Sequence, residues 1–131
     1  MGEVVGEQML PLNRLERAVL EKMLAGDSPV LATLRKQLSV AAVARRELTG
    51  VGFFCTLSVS TDEPSADIQG RGPIGDVEAE IEGLNHGAGF LLWLEEGRMS
   101  MLEGFSYDEP WPAEFDRFTL RYHKDPRGPF P

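Results

Sequence analysis

The spacing of apolar residues divides the chain into two textures. Over residues 12–25, Leu12, Leu15, Val19 and Met23 recur at intervals of three and four, which gathers them on one side of a helix. Asn13 followed by Glu16 reads as a capping box, and Gly26 closes the helix. In DSPVLATLRKQL, Ser28 suits the N-cap and Pro29 the first helical position, while Leu31, Leu34 and Leu38 form the buried stripe of a second helix. The pair predicts a helical hairpin at the N-terminus.

Beyond Leu38 the period falls towards two. SVAAVARREL fits either a strand or more helix; after a turn at Thr49 and Gly50, VGFFCTLSVS sets Val51, Phe53, Cys55, Leu57 and Val59 on one strand face. The Gly, Pro, Asp and Ser of residues 61–75 predict a mobile loop. GDVEAEIEGL then alternates without fault, with Val77, Ala79 and Ile81 on one side and Asp76, Glu78, Glu80 and Glu82 on the other. FLLWLEE is apolar on both faces, as in a central or doubly covered strand, and RMSMLEGFSY puts Met99, Met101, Phe105 and Tyr107 on one face. These three segments read as an antiparallel meander. DRFTLRYH supplies a last strand, with Phe118, Leu120 and Tyr122 opposed to Arg117, Thr119, Arg121 and His123. Helices first and strands afterwards predict an α+β fold, the N-terminal helical hairpin packed on one face of an antiparallel sheet of five or six strands.

Length and charge narrow the picture. A chain of 131 residues fits a single domain over 1–131, with 1–10 and 125–131 expected as flexible termini. Its formal charge of −8 argues against nucleic acid, whose binding needs clustered cations, and favours encounter with a basic protein. No apolar run approaches the ~20 residues of a membrane span, and the opening MGEVVGEQML has neither the basic nor the continuous apolar region of a secretory signal. The expected setting is cytoplasmic, with no membrane partner.

Signals for chemistry are weak. His86 sits in a Gly-rich turn and His123 near the tail, with no HxxxH, CxxC or EF-hand spacing, so no metal is expected. Neither a GxSxG elbow nor a phosphate-cradling Gly motif is present, so no cofactor and no catalytic residue are assigned. Cys55, the lone cysteine, lies among Phe53, Phe54 and Leu57 and reads as a core residue. Two features remain. The row Asp76, Glu78, Glu80, Glu82 is either the wet side of a strand, neutralised by residues such as Arg98, Arg117 or Arg121, or a docking surface for a cationic partner. In LEGFSYDEPW, Tyr107 and Trp111 are either strand-end residues folded back on the core or the anchors of an aromatic and acidic lip with Asp108 and Glu109.

LTGVGFF, GDVEAEIEGLNHGAGFLLWLEEG and LEGFSYDEPWP together resemble the signature of a family of small bacterial cytosolic proteins of uncharacterised function. The resemblance implies a bacterial cytosolic protein and carries over no activity, cofactor or catalytic residue. The expected function is non-enzymatic protein binding, immunity- or inhibitor-like, through Asp76, Glu78, Glu80 and Glu82 or through Tyr107, Asp108, Glu109 and Trp111. The alternative is a small-molecule binder or enzyme with a pocket between helices and sheet, lined by Trp93, Met101 or Tyr107 with His86 at its mouth. A homo-oligomer formed by an exposed sheet edge is compatible with either.

Overall fold

The computed structural model describes residues 9–68 and 72–128. Among them run α1 (Arg14–Met23), α2 (Pro29–Leu38), β1 (Ala42–Leu48), β2 (Gly52–Ser58), β3 (Val77–Ile81), β4 (Ala88–Glu95), β5 (Arg98–Ser106) and β6 (Phe118–Tyr122). The strands form one antiparallel sheet in the order β1-β2-β5-β4-β3-β6. The α+β architecture matches the expected one: both helices lie on the same face of the sheet, α1 against β3 and β6 and α2 against β5. The ambiguous segment after Leu38 is strand β1, and FLLWLEE is central as part of β4.

Local chemistry sets the helix ends. The Asn13 side chain accepts from the Glu16 N–H (2.8 Å) and the Glu16 carboxylate accepts from the Asn13 N–H (2.9 Å), closing the capping box. Ser28 caps α2 by accepting from the Val30 N–H, and Pro29 occupies its first turn. At the other end of α1 the Tyr122 hydroxyl donates to the Lys22 carbonyl (2.6 Å), and Arg127 donates to the carbonyls of Met23 and Ala25. These bonds satisfy carbonyls that a helix end leaves open.

The core lies between the helices and the sheet. Leu15, Val19, Leu20 and Met23 of α1 and Leu31 and Leu34 of α2 meet Cys55, Phe90, Leu92, Leu102, Val77 and Ala79, all buried. Each large apolar side chain so buried contributes about 1.5–3 kcal/mol. Gln37 is buried with them and fully used: its amide donates to the Pro64 and Gly97 carbonyls and its carbonyl oxygen accepts from the Met99 N–H. It pins the chain after β2 to the β4–β5 turn.

One register differs from the sequence pattern. Trp93 pairs with Met101 but Leu94 with Met99, so Ser100 is an extra residue in β5. A β-bulge of this kind reverses which side chains face the core. Met99, Leu102, Gly104 and Ser106 are buried, whereas Met101, Phe105 and Tyr107 are not. Met99 therefore parts from Met101, Phe105 and Tyr107, which lie on the face away from the helices.

The expectations of flexible termini and a mobile loop fall partly on residues 1–8, 69–71 and 129–131, outside the described residues. In the described flanks, Leu10 and Val43 exchange both backbone hydrogen bonds (2.9 and 2.7 Å), Ala66 is buried, and Ile74 and Leu92 exchange another such pair.

Candidate functional site

The acidic row is held largely within the molecule. Because β6 lies beside β3, Arg121 stands opposite Glu78, donating to it (2.7 Å) and to Glu80 (3.0 Å), and His123 Nδ1 meets the other Glu78 oxygen. Burial pushes the Glu78 carboxyl up, but Arg121 and then His123 outweigh it and hold it below the usual carboxylate range. Asp76 pairs with Arg127 (2.6 Å). Glu82 accepts from the backbone N–H groups of Asp116 and Arg117, which lowers its pKa. Of the four, Glu80 keeps the most freedom, being exposed and only singly paired. The neutralising cations are Arg121 and Arg127; Arg98 instead donates to the carbonyls of Thr61 and Glu63.

The segment 107–111 splits between the two readings of it. Trp111 packs its ring edge against Phe53, 5.6 Å between centroids, and its backbone N–H donates to the Gly50 carbonyl, so it closes the end of the sheet. Glu109 is a brace: its carboxylate accepts from the Asn85 and His86 N–H groups (2.8 and 2.7 Å), chiefly the first of which lowers its pKa. Tyr107 is 47 % exposed, and Asp108 beside it is exposed with a left-handed φ of 64°, a conformation Asp tolerates better than most residues. Tyr107 and Asp108 thus remain at the surface while Glu109 and Trp111 serve the fold.

Glu82 and Glu109 predict a pH effect. Both carboxyls have folded-state pKa values below the unfolded value, so the ordering they supply is complete above the ordinary carboxylate range and is lost as pH falls through the lowered values. In an NMR titration the Asp116 and Arg117 amides, which donate to Glu82, should hold their shifts down to about pH 4 and move below it. Amides that move already near pH 6 would contradict the tethers.

With the helices on one side, no described element covers the other face of the sheet. Residues directly opposed across strands share a face, so the pairs Phe54↔Glu103, Thr56↔Met101, Leu91↔Glu103 and Trp93↔Met101 place Phe54, Leu91, Trp93 and Met101 together. Phe105 and Tyr107 continue the stripe, their rings edge to face at 5.8 Å above Gly89. A Cβ on Gly89 would come within 2.7 Å of the Phe105 ring and 2.9 Å of the Tyr107 hydroxyl, so this glycine is the slot in which both rings lie. Trp93 is 38 % exposed and its indole N–H donates to Glu103 (3.2 Å). Glu47, Glu80, Glu95, Glu103 and Asp108 surround the stripe; the cations on the same face include Arg45 and Arg121, both already paired within the chain, and the exposed Arg117 near its β6 end.

Compared with protein-family models, curated proteins and solved structures, the chain gives no match. Trp93, Met101 and Tyr107 lie opposite the helices, so they line no cavity between helices and sheet. Burial raises the Cys55 thiol to about 12, which leaves it unsuited to nucleophilic work. Among the described residues no group of three His, Cys, Asp or Glu is placed to hold a metal, and no helix is long and apolar enough to cross a membrane. The sequence hint for the open face was present in two places: Phe54 and Thr56 on the second side of β2, and the apolar Leu91 and Trp93 alternating with Phe90 and Leu92.

Proposed function

We propose that the protein is a non-enzymatic protein-binding module whose interface is the open face of the sheet, and that its partner is a basic protein. The observation that carries this reading is the stripe of Phe54, Leu91, Trp93, Met101, Phe105 and Tyr107 on a face that neither helix covers. Aromatic and methionine side chains bordered by charge are the composition of binding hot spots. The acidic border and the chain's charge of −8 favour a cationic partner and fast encounter with it. Asp76, Glu78 and Glu82 take a supporting part, since their charge is spent inside the fold; Glu80, Glu103 and Asp108 face the partner. An inhibitor or immunity protein covering a basic active site is the concrete form of this proposal, in the bacterial cytosol that the three sequence motifs imply.

The test is binding by the open-face variant. A basic protein captured from lysate of the source organism by the wild-type chain is purified, and its affinity is measured by calorimetry for the wild type and for a Trp93→Ser, Met101→Ser variant of unchanged melting temperature. Loss of the hot spot should weaken binding about 30-fold or more, the equivalent of ~2 kcal/mol. Equal affinity for both proteins would refute the open face as interface.

A further inference from the structure

Of the five acids around the apolar stripe, Glu103 alone is half-buried; the other four are exposed. It stands on β5 between Phe54 of β2 and Leu91 of β4. Alternate residues of a strand share a face, so Met101 and Phe105 flank it along β5. Side chains directly opposed across strands sit about 4.5–5.5 Å apart at Cβ, and this carboxylate therefore has apolar neighbours on four sides. One of its oxygens accepts from the Trp93 indole N–H (3.2 Å); among the described residues the other has neither a hydrogen bond nor an ion pair.

The chain brings no cation of its own to this carboxylate. On the same face Arg45 is paired with Glu47, with β2 between its strand and β5, and Arg121 is paired with Glu78 and Glu80. Arg117 lies beyond the end of β6, from which β3 and β4 separate Glu103. Arg98, on β5 itself, donates to the Thr61 and Glu63 carbonyls. Aromatic rings elsewhere do carry cations: Arg14 lies over Phe118 (4.7 Å), and Lys22 and Arg127 lie over Tyr122 (4.3 and 4.4 Å). Among the described residues none lies over Phe54, Trp93, Phe105 or Tyr107. An open carboxylate oxygen beside uncovered rings is a receptor for a cation from outside.

We infer that Glu103, with Trp93 and Phe54 beside it, receives an arginine side chain of the partner and so selects among basic proteins. This role depends on the open face being the interface. A guanidinium is planar: its edge donates to a carboxylate while its face stacks on an aromatic ring. An ammonium has the same charge without the fork or the flat face, and is more strongly hydrated. The exposed acids around the stripe attract either cation, whereas the Glu103 cluster separates arginine from lysine.

The probes are fluorescein-labelled peptides of four Arg-Ser and four Lys-Ser repeats, equal in charge, so that the acidic border draws both alike. Fluorescence anisotropy should show the arginine peptide binding tighter by about fivefold or more. In an NMR titration the Trp93 indole N–H should shift with the arginine peptide. Glu103→Gln keeps the shape and an acceptor for the Trp93 N–H, and should abolish the arginine preference. Glu21→Gln, on the exposed side of α1, removes the same charge from the other face and should retain it. Equal affinity for the two peptides, a preference that survives Glu103→Gln, or a preference lost equally in Glu21→Gln would each overturn the inference. Failure of the open face itself is read separately, from the captured partner's affinity for the Trp93→Ser, Met101→Ser variant. A partner lost by that variant, with no arginine preference, leaves the face standing and removes the role of Glu103.

Discussion

Replacing Arg46 by Met should lower the stability of the folded chain by about 3–5 kcal/mol, the cost of leaving one partner of a buried ion pair behind. Glu16 is 1 % exposed on α1, and Arg46 reaches it from β1 with Nε and Nη2, both at 2.7 Å. The guanidinium is itself stabilised, its pKa raised by the hydrogen bond to Glu16 against the lowering effect of burial. Without Arg46 the Glu16 carboxylate keeps the Asn13 N–H of the capping box as its one remaining donor among the described residues. A Glu16→Leu, Arg46→Met double variant removes both charges and should recover most of the loss. It retains a deficit of about 1 kcal/mol because the Asn13 N–H loses its acceptor. Urea unfolding of the three proteins measures this, and a single Arg46→Met variant within about 0.5 kcal/mol of wild type, the range of ordinary surface substitutions, would contradict it.

Gly52→Ala should be comparably costly for a different reason. A Cβ at this position would lie 2.0 Å from the Gly104 carbonyl oxygen and 2.9 Å from the Phe105 Cα, atoms of the neighbouring strand's backbone that cannot rotate away. β2 and β5 would have to separate where Gly52 pairs with Phe105. Overpacking of this kind costs about 1–3 kcal/mol and more when backbone is the obstacle; the value expected here is about 3 kcal/mol or above. Gly89→Ala should be milder, because it meets the ends of the Phe105 and Tyr107 side chains, which can swing aside. Its effect should fall on the open face, as weakened partner binding in a chain that unfolds near the wild-type denaturant midpoint.

What the sequence made legible was local. Asn13 and Glu16, and Ser28 and Pro29, mark helix starts through contacts within one turn, and the structure places them there. The alternation of Val77 to Glu82 likewise needs only the period of a strand. The pairing of the acidic row was harder to read, because Arg121 becomes the partner of Glu78 only when β6 is laid outside β3, a non-neighbouring choice that leaves no mark in one sequence. The bulge at Ser100 was hidden for a related reason: RMSMLEGFSY alternates plausibly in either phase, and only pairing with β4 shows that one residue is extra. That single residue moves Met101, Phe105 and Tyr107 from the helix-covered face to the open face of the sheet. Trp111 and Tyr107, four positions apart in one aromatic segment, part company because Pro110 and Pro112 carry the former back to Phe53.

The most direct measurement of the proposed function is site-specific photo-crosslinking in the source organism. A benzophenone side chain is placed at Met101, on the open face, or at Glu21, on the exposed side of α1, and the crosslinked products are identified by mass spectrometry. A basic protein joined at Met101 and not at Glu21 is the predicted result. Crosslinking to that protein from Glu21 alone, or no partner at Met101, would contradict the open sheet face as the interface.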